Sequence, residues 1–203
     1  QSNLDVNVTS GAKRGIFFQN SSNSFNVDEE SEVKINTEQA NSLHMQGSDQ
    51  RTIIAGKSSL ILKSNWNVHG STIEHSRRSS LYIGMNGASN SIIEVDDQSS
   101  LLAESDLSSS IVLEGRVNSF YIRNKSEINL YSGSTTSIST GAFATLRFLN
   151  SGNSLFKIEN SIFSILKSGG SAPGIRMLGD KNSIEVTDGG VFQVENPGNG
   201  TPS

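Results

Sequence analysis

The 203-residue sequence predicts an all-β fold: a single-stranded, right-handed parallel β-helix (β-solenoid) of about six turns, with three short strands per turn. Three observations predict it. A five-residue phrase recurs six times, short apolar triplets follow each occurrence, and no window carries the apolar spacing of three and four that a helix needs.

The phrase is Gly or Asn, two free positions, Asn or Gln, then usually Ser. It runs Asn20–Ser24, Gly47–Arg51, Gly87–Ser91, Gly115–Ser119, Asn150–Ser154 and Gly179–Ser183. Its fourth positions are Asn23, Gln50, Asn90, Asn118, Asn153 and Asn182, at intervals of 27, 40, 28, 35 and 29 residues. Gly or Asn at the start suits a corner residue with positive φ. Asn at the fourth position suits an amide ladder from turn to turn.

Each phrase opens a first strand: Phe25–Val27, Thr52–Ala55, Ile92–Val95, Phe120–Ile122, Leu155–Ile158 and Ile184–Val186. A second strand follows a short bend: Val33–Ile35, Leu60–Leu62, Leu101–Ala103, Ile128–Leu130, Phe163–Ile165 and Val191–Val194. A third precedes the next phrase: Leu43–Met45, Leu81–Ile83, Ile111–Leu113, Leu146–Phe148 and Ile175–Met177. Apolar ends around a variable middle match the period-2 alternation of a strand, and only stacked turns bury such triplets. A β-sandwich, which also shows many short strands, is the alternative fold. Leu4–Val8 and Ile16–Phe18 read as a partial first turn within 1–22. The solenoid domain is expected over 1–195, with 196–203 a linker tail cut from a longer protein. With no leader before Gln1, the chain reads as a mature form or an excised piece.

Composition narrows the function classes. Ser, Asn and Gly make up 76 residues, so turns dominate and the core is thin. The net charge of −4 and the absence of a basic stripe argue against nucleic acid as a partner. No apolar run spans a membrane. Without cysteine there are no disulfides and no thiolate zinc site.

Parallel β-helices include polysaccharide lyases and hydrolases, and their chemistry needs carboxylates at a set separation or in a calcium cage. Asp96-Asp97 are adjacent in a bend, where their side chains diverge. Asp28-Glu29-Glu30, Gly56-Lys57, Asp96-Asp97, Asn124-Lys125, Glu159-Asn160 and Asp188-Gly189 form a mixed ladder that reads as a solvated corner. At most an adventitious Ca2+ is expected there. Asn-Thr-Asp and Gly-His-Gly segments are missing, as is a Gly-x-Ser-x-Gly elbow, and Arg123-Asn124-Lys125 is an Arg-x-Lys without the segments that would accompany it. No catalytic residues, metal ligands or cofactor are therefore expected. His44, central in its triplet, is expected outward on the surface.

One constellation reads as a binding site. The 40-residue second unit carries an insertion with the sole Trp, Trp66, beside His69, His75, Arg77 and Arg78. An aromatic face with cationic neighbours suits a sugar, an acidic glycan or a protein hot spot, while packing of Trp66 over the solenoid is the plain alternative.

The repeat phrase, Asn3-Leu4-Asp5-Val6-Asn7-Val8, Gly15-Ile16-Phe17-Phe18 and the Asn-Ser strand starts resemble the pectate-lyase-like adhesive domains of Gram-positive bacterial surface proteins. That resemblance implies a right-handed solenoid on the cell exterior, associated with the cell wall through other domains of a longer surface protein. It implies adhesion to an extracellular polysaccharide or a host surface protein, without catalysis. A polysaccharide-cleaving enzyme of the same fold and a structural spacer are the alternatives.

Overall fold

The computed structural model describes residues 2–9, 14–65, 79–106, 108–132, 144–149, 151–167 and 174–195. Among these residues the chain holds nineteen strands and no helix, so no helix is long and apolar enough to cross a membrane. Strands β1 (Asn3–Val8) and β2 (Ile16–Phe18) make the partial first turn. Complete coils follow: β3 (Ser24–Val27), β4 (Glu32–Glu38) and β5 (Leu43–Met45); β6 (Arg51–Ile54), β7 (Ser59–Asn65) and β8 (Ser79–Ser89); β9 (Ile92–Val95), β10 (Ser100–Ser105) and β11 (Ser109–Arg116). They continue with β12 (Ser119–Ile122), β13 (Glu127–Ser132) and β14 (Leu146–Leu149), then β15 (Leu155–Glu159), β16 (Ile162–Lys167) and β17 (Ile175–Met177). Strands β18 (Ser183–Thr187) and β19 (Val191–Glu195) open the last turn.

Each strand pairs in parallel with its equivalents one turn away, giving three sheets. Sheet A is β1-β4-β7-β10-β13-β16-β19, sheet B is β17-β14-β11-β8-β5-β2 and sheet C is β18-β15-β12-β9-β6-β3. The fold is a parallel β-helix, as the repeat predicted, and the three predicted triplets of each unit lie in sheets C, A and B in that order.

The register converts the alternation into ladders. On sheet A, Val33, Leu60, Leu101, Ile128 and Phe163 align, as do Ile35, Leu62, Ala103, Leu130 and Ile165. All are buried and join the inner residues of the other two sheets in one continuous core. Fully burying a side chain of this size contributes about 1.5–3 kcal/mol. Toward the later coils the Phe156 ring packs tilted against Phe120 and edge-on against Phe163, with centroids 5.3 and 4.7 Å away. Thr52 occupies an inward position of sheet C, where its hydroxyl reaches the Met45 sulfur at 3.2 Å.

The three corners are built differently. From C to A the chain turns through residues in the left-handed region: Glu29 and Glu30, Gly56 and Lys57, Asp97 and Gln98, Asn124 and Lys125. Beneath each turn lies a buried serine ladder. The Ser31 N–H donates to Ser58 Oγ, Ser58 N–H to Ser99 Oγ, Ser99 N–H to Ser126 Oγ and Ser126 N–H to Ser161 Oγ, at 3.1–3.2 Å. One hydroxyl per turn thus satisfies a backbone donor that the turn hides from water.

The B-to-C corner is the repeated phrase. Its starting residues Asn20, Gly47, Gly115 and Gly179 have positive φ, as expected. A Cβ at Gly47 would meet the Asn20 carbonyl at 2.8 Å, so close stacking as well as φ selects glycine. The fourth-position ladder is corrected in two units. The stacked residues are Asn23, Gln50, Ser91, Asn118, Ser154 and Asn182, which each precede an aligned first strand residue. Asn90 and Asn153 instead take the left-handed corner position, which Asn tolerates, and the following serine enters the ladder. Amide-to-amide contact joins Asn23 to Gln50 at 3.2 Å. Later rungs run from backbone to side chain: Ser91 N–H to Asn118 Oδ1, Asn118 N–H to Ser154 Oγ and Ser154 N–H to Asn182 Oδ1.

At the A-to-B corner hydroxyls close the wall. Thr37, Ser64, Ser105 and Ser132 align inward at the end of sheet A. Thr37 and Ser64 meet Ser42, Ser105 meets Ser108, and Ser132 meets Thr145 at 2.7 Å. The last pair joins the two ends of a long connection directly. The corner therefore holds whatever the length of chain between.

Candidate functional site

Carboxylates at the C-to-A corner close turns. Asp28 Oδ1 accepts the Glu29 N–H at 2.8 Å, and Asp96 Oδ1 accepts the Asp97 N–H at 2.7 Å. Asp96 also takes the Asn124 amide at 2.6 Å and pairs with Arg123, which pairs with Glu94 as well. Asp97 points into solvent. The expected solvated ladder is found here, with the carboxylates engaged in turn geometry. Among the described residues no group of three or more His, Asp or Glu is placed to hold a metal ion.

Sheet B presents a different outer face. The middle residues of its triplets align as Phe17, His44, Tyr82, Val112, Arg147 and Arg176. Each points away from the core because its neighbours on either side point in. His44 lies between the Phe17 and Tyr82 rings, edge-on to each, with centroids 5.0 and 4.6 Å away. Arg14 sits 4.3 Å over the Phe17 ring. The Tyr82 hydroxyl donates to Glu114 Oε2. Tyr82, Val112 and Leu149 form a second apolar cluster outside the core. The expectation of a surface His44 is corrected: its side chain does point outward, but the residue is only 8% exposed, closed in by neighbouring rings.

The ladder becomes cationic toward the later coils. Arg147 is 3% exposed and stands in register with Arg176, which is partly exposed. Burial, then the like charge of Arg176, brings the Arg147 pKa down to about 10, against the opposing pull of Glu114.

Connection lengths single out the same edge. From C to A and from B to C, strands are joined by at most five residues. From A to B, β7 and β8 are separated by residues 66–78 and β13 and β14 by 133–145, thirteen residues each. The extra length expected in the second and fourth units therefore leaves at one corner. Charge follows the same division. The segments running from the end of each sheet A strand to the end of the next sheet B strand (9–18, 39–45, 66–89, 106–116, 133–149 and 168–177) hold seven Lys and Arg against three Asp and Glu, a formal +4. The remainder holds nine against seventeen, a formal −8.

Trp66, His69, His75, Arg77 and Arg78 fall in 66–78, outside the described residues; what is fixed is that their segment joins β7 to β8 at the A-to-B corner. Sequence reasoning passed over Tyr82, Glu114, Arg147 and Arg176. The signal for three of them was present. Read down the third triplets, the central positions collect aromatic and cationic side chains, whereas the first triplets mix Asn26, Ile53, Glu94, Tyr121, Lys157 and Glu185. Comparison with known proteins gave no match: no family model fits the chain, and no curated protein or solved structure is similar to it.

Proposed function

We propose that this protein is a non-catalytic binding module of the bacterial cell exterior, held at the cell wall by other domains of a longer surface protein. Its partner in this reading is an extracellular polysaccharide or a host surface protein. One observation carries the reading: the long connections leave the solenoid at a single corner, beside the sheet face that gathers aromatic and cationic side chains. Insertions that emerge on one face of a repeat fold are often its binding face. Trp66, His69, His75, Arg77 and Arg78 belong to one of the two thirteen-residue segments and are the proposed contact residues.

A second reading, a polysaccharide lyase or hydrolase, draws on one observation. Tyr82, Glu114 and Arg147 share that face, and acid–base work uses such groups. Their exposures of 2, 2 and 3% support a structural role for them instead, since a substrate must touch its acid and base.

The test has two arms. The chain is incubated with pectin, alginate and glycosaminoglycans, with and without calcium, and new unsaturated or reducing ends are assayed. Parallel glycan and host-protein arrays measure binding. Binding without cleavage is expected, with Trp66→Ala weakening it by about 1–3 kcal/mol and leaving the melting temperature unchanged. Cleavage proportional to protein establishes the enzyme, and silence in every screen leaves a spacer.

A further inference from the structure

At the B-to-C corner the left-handed position next to the polar ladder holds Ser22, Asp49, Asn90, Asn153 and Lys181, all exposed and polar. Between β11 and β12 it holds Val117, at φ +56° and 44% exposed. A β-branched side chain resists this conformation, and no burial compensates it here. Beside it Arg116 is exposed, and its guanidinium lies over Gly152 one coil on, where an added Cβ would stand 3.3 Å from Nε. Among the described residues Arg116 makes no side-chain hydrogen bond and no ion pair. The corner presents an apolar knob with a free cation. A hollow of matching chemistry lies at the start of the solenoid. β3 is the first strand of sheet C, so the edge that later coils cover is open beside it. A cavity of about 320 Å³ lies there, lined by apolar Leu4, Val27 and Val33 and by acidic Asp28, Glu29 and Glu32. Leu4 is 47% exposed although it stands in the inward ladder of Val33. Glu32 pairs with Lys34, whereas Asp28 and Glu29 make no ion pair among the described residues.

We infer that this protein associates with itself, Val117 of one copy entering the hollow of the next while Arg116 meets the carboxylates of Asp28 and Glu29. Knob and hollow stand on different corners, three strand spacings or about 14 Å apart along the axis, so they do not meet within one molecule. Between two molecules they match in polarity and in charge, apolar against apolar and a free guanidinium against free carboxylates. The contact is heterologous: each pairing leaves a free knob at one end and a free hollow at the other, so growth does not stop at the dimer. The strained valine is retained in this account because the polar side chains of the other coils do not suit the hollow. The inference stands apart from the binding-module reading and uses neither sheet B nor the long connections.

The experiment is sedimentation equilibrium of the 203-residue chain from about 10 μM to about 1 mM. The average mass is expected to rise past that of a dimer, and to rise less as salt increases. Val117→Asn removes the knob and Leu4→Asn alters the hollow, and each should weaken association about tenfold or more. Val117→Asn should do so without lowering the melting temperature. Mixed in equal amounts, the two variants should form a dimer and nothing larger, because the mixture holds one working knob and one working hollow per pair. Should Leu4→Asn loosen β1, Glu29→Lys takes its place. Val194→Ser, at the exposed apolar end of sheet A, is the control and should associate as the parent does. A mass that stays monomeric throughout, Val117→Asn associating within about twofold of the parent, a mixture that stays monomeric, or association lost in Val194→Ser would each overturn the contact and leave the binding-module reading untouched.

Discussion

The C-to-A and A-to-B corners of this solenoid solve the same problem, a change of direction between two sheets, in opposite ways. At the first, the described turns repeat nearly unchanged, with left-handed residues on top and a serine hydroxyl beneath. At the second, inward hydroxyls bridge the two sheets directly, and the chain between them varies from three residues (106–108) to thirteen. The difference teaches where variation is cheap. A corner whose closure depends on the connection must keep that connection constant. A corner closed by Ser132 and Thr145 leaves the intervening chain available for other work.

An insertion experiment puts the largest strain on this comparison. Adding Gly-Ser between Asp97 and Gln98 separates two left-handed residues and lifts Ser99 out of its ladder, so a loss of more than about 4 kcal/mol is expected, beyond the range of ordinary substitutions. The same dipeptide between Ser137 and Ile138 should cost less than about 1 kcal/mol, because lengthening a connection adds little closure entropy. Chemical denaturation of both variants checks this; equal losses would erase the distinction between the corners.

A smaller effect is expected at Ser99→Ala. The Ser58 N–H loses its 3.1 Å acceptor but keeps the Ala55 carbonyl at 3.2 Å. About 1 kcal/mol should go from stability, and ligand binding should be unchanged. A binding loss without a stability loss would mean that the conserved geometry of this corner serves recognition.

Smaller still, and opposite in sign, is Val117→Asn. Val117 is exposed and has φ +56°, a conformation that a β-branched residue resists. In the other described coils the aligned corner residues are Ser22, Asp49, Asn90, Asn153 and Lys181, all with positive φ. A gain of about 0.5–1 kcal/mol is expected from thermal melts, marking the one phrase where the sequence departs from its own corner rule.

The smallest effect concerns surface charge. A hydrogen bond from Lys157, then its charge, holds the Glu159 carboxyl below its ordinary value. A carboxylate lowered in the fold adds stability above its unfolded pKa and loses it as pH falls through the folded value. Both groups are solvated, so Lys157→Met should return the Glu159 titration upward by NMR while leaving the acid limb of the melting curve in place.

These expectations also show how far the sequence could be read. The stacking was legible because a triplet with apolar ends has one inward solution, and the phrase marked where each coil begins. Leu43–Met45 and Ile175–Met177 are strands over the residues the pattern picked out. The ladder membership of Ser91 and Ser154 was not legible, because Asn and Ser are adjacent in the phrase and either can fill a left-handed corner or a polar rung. Only the register decides. The serine ladder was hidden by abundance: with 37 serines in the chain, five at the same position in successive turns carry no visible signal until the turns are aligned. The sheet B face was missed for a different reason. Its residues lie about thirty residues apart in the chain, and site motifs are sought among near neighbours.

Hydrogen exchange with and without a glycan or host protein that binds in the arrays tests most directly whether one corner builds the fold while the other binds. The account predicts slowed exchange in peptides from β8, β11, β14, β17 and the A-to-B connections. The serine-ladder turns at 96–99 and 123–126 should exchange as before. Slowing centred on those turns, or on the outer faces of sheets A and C, would contradict it.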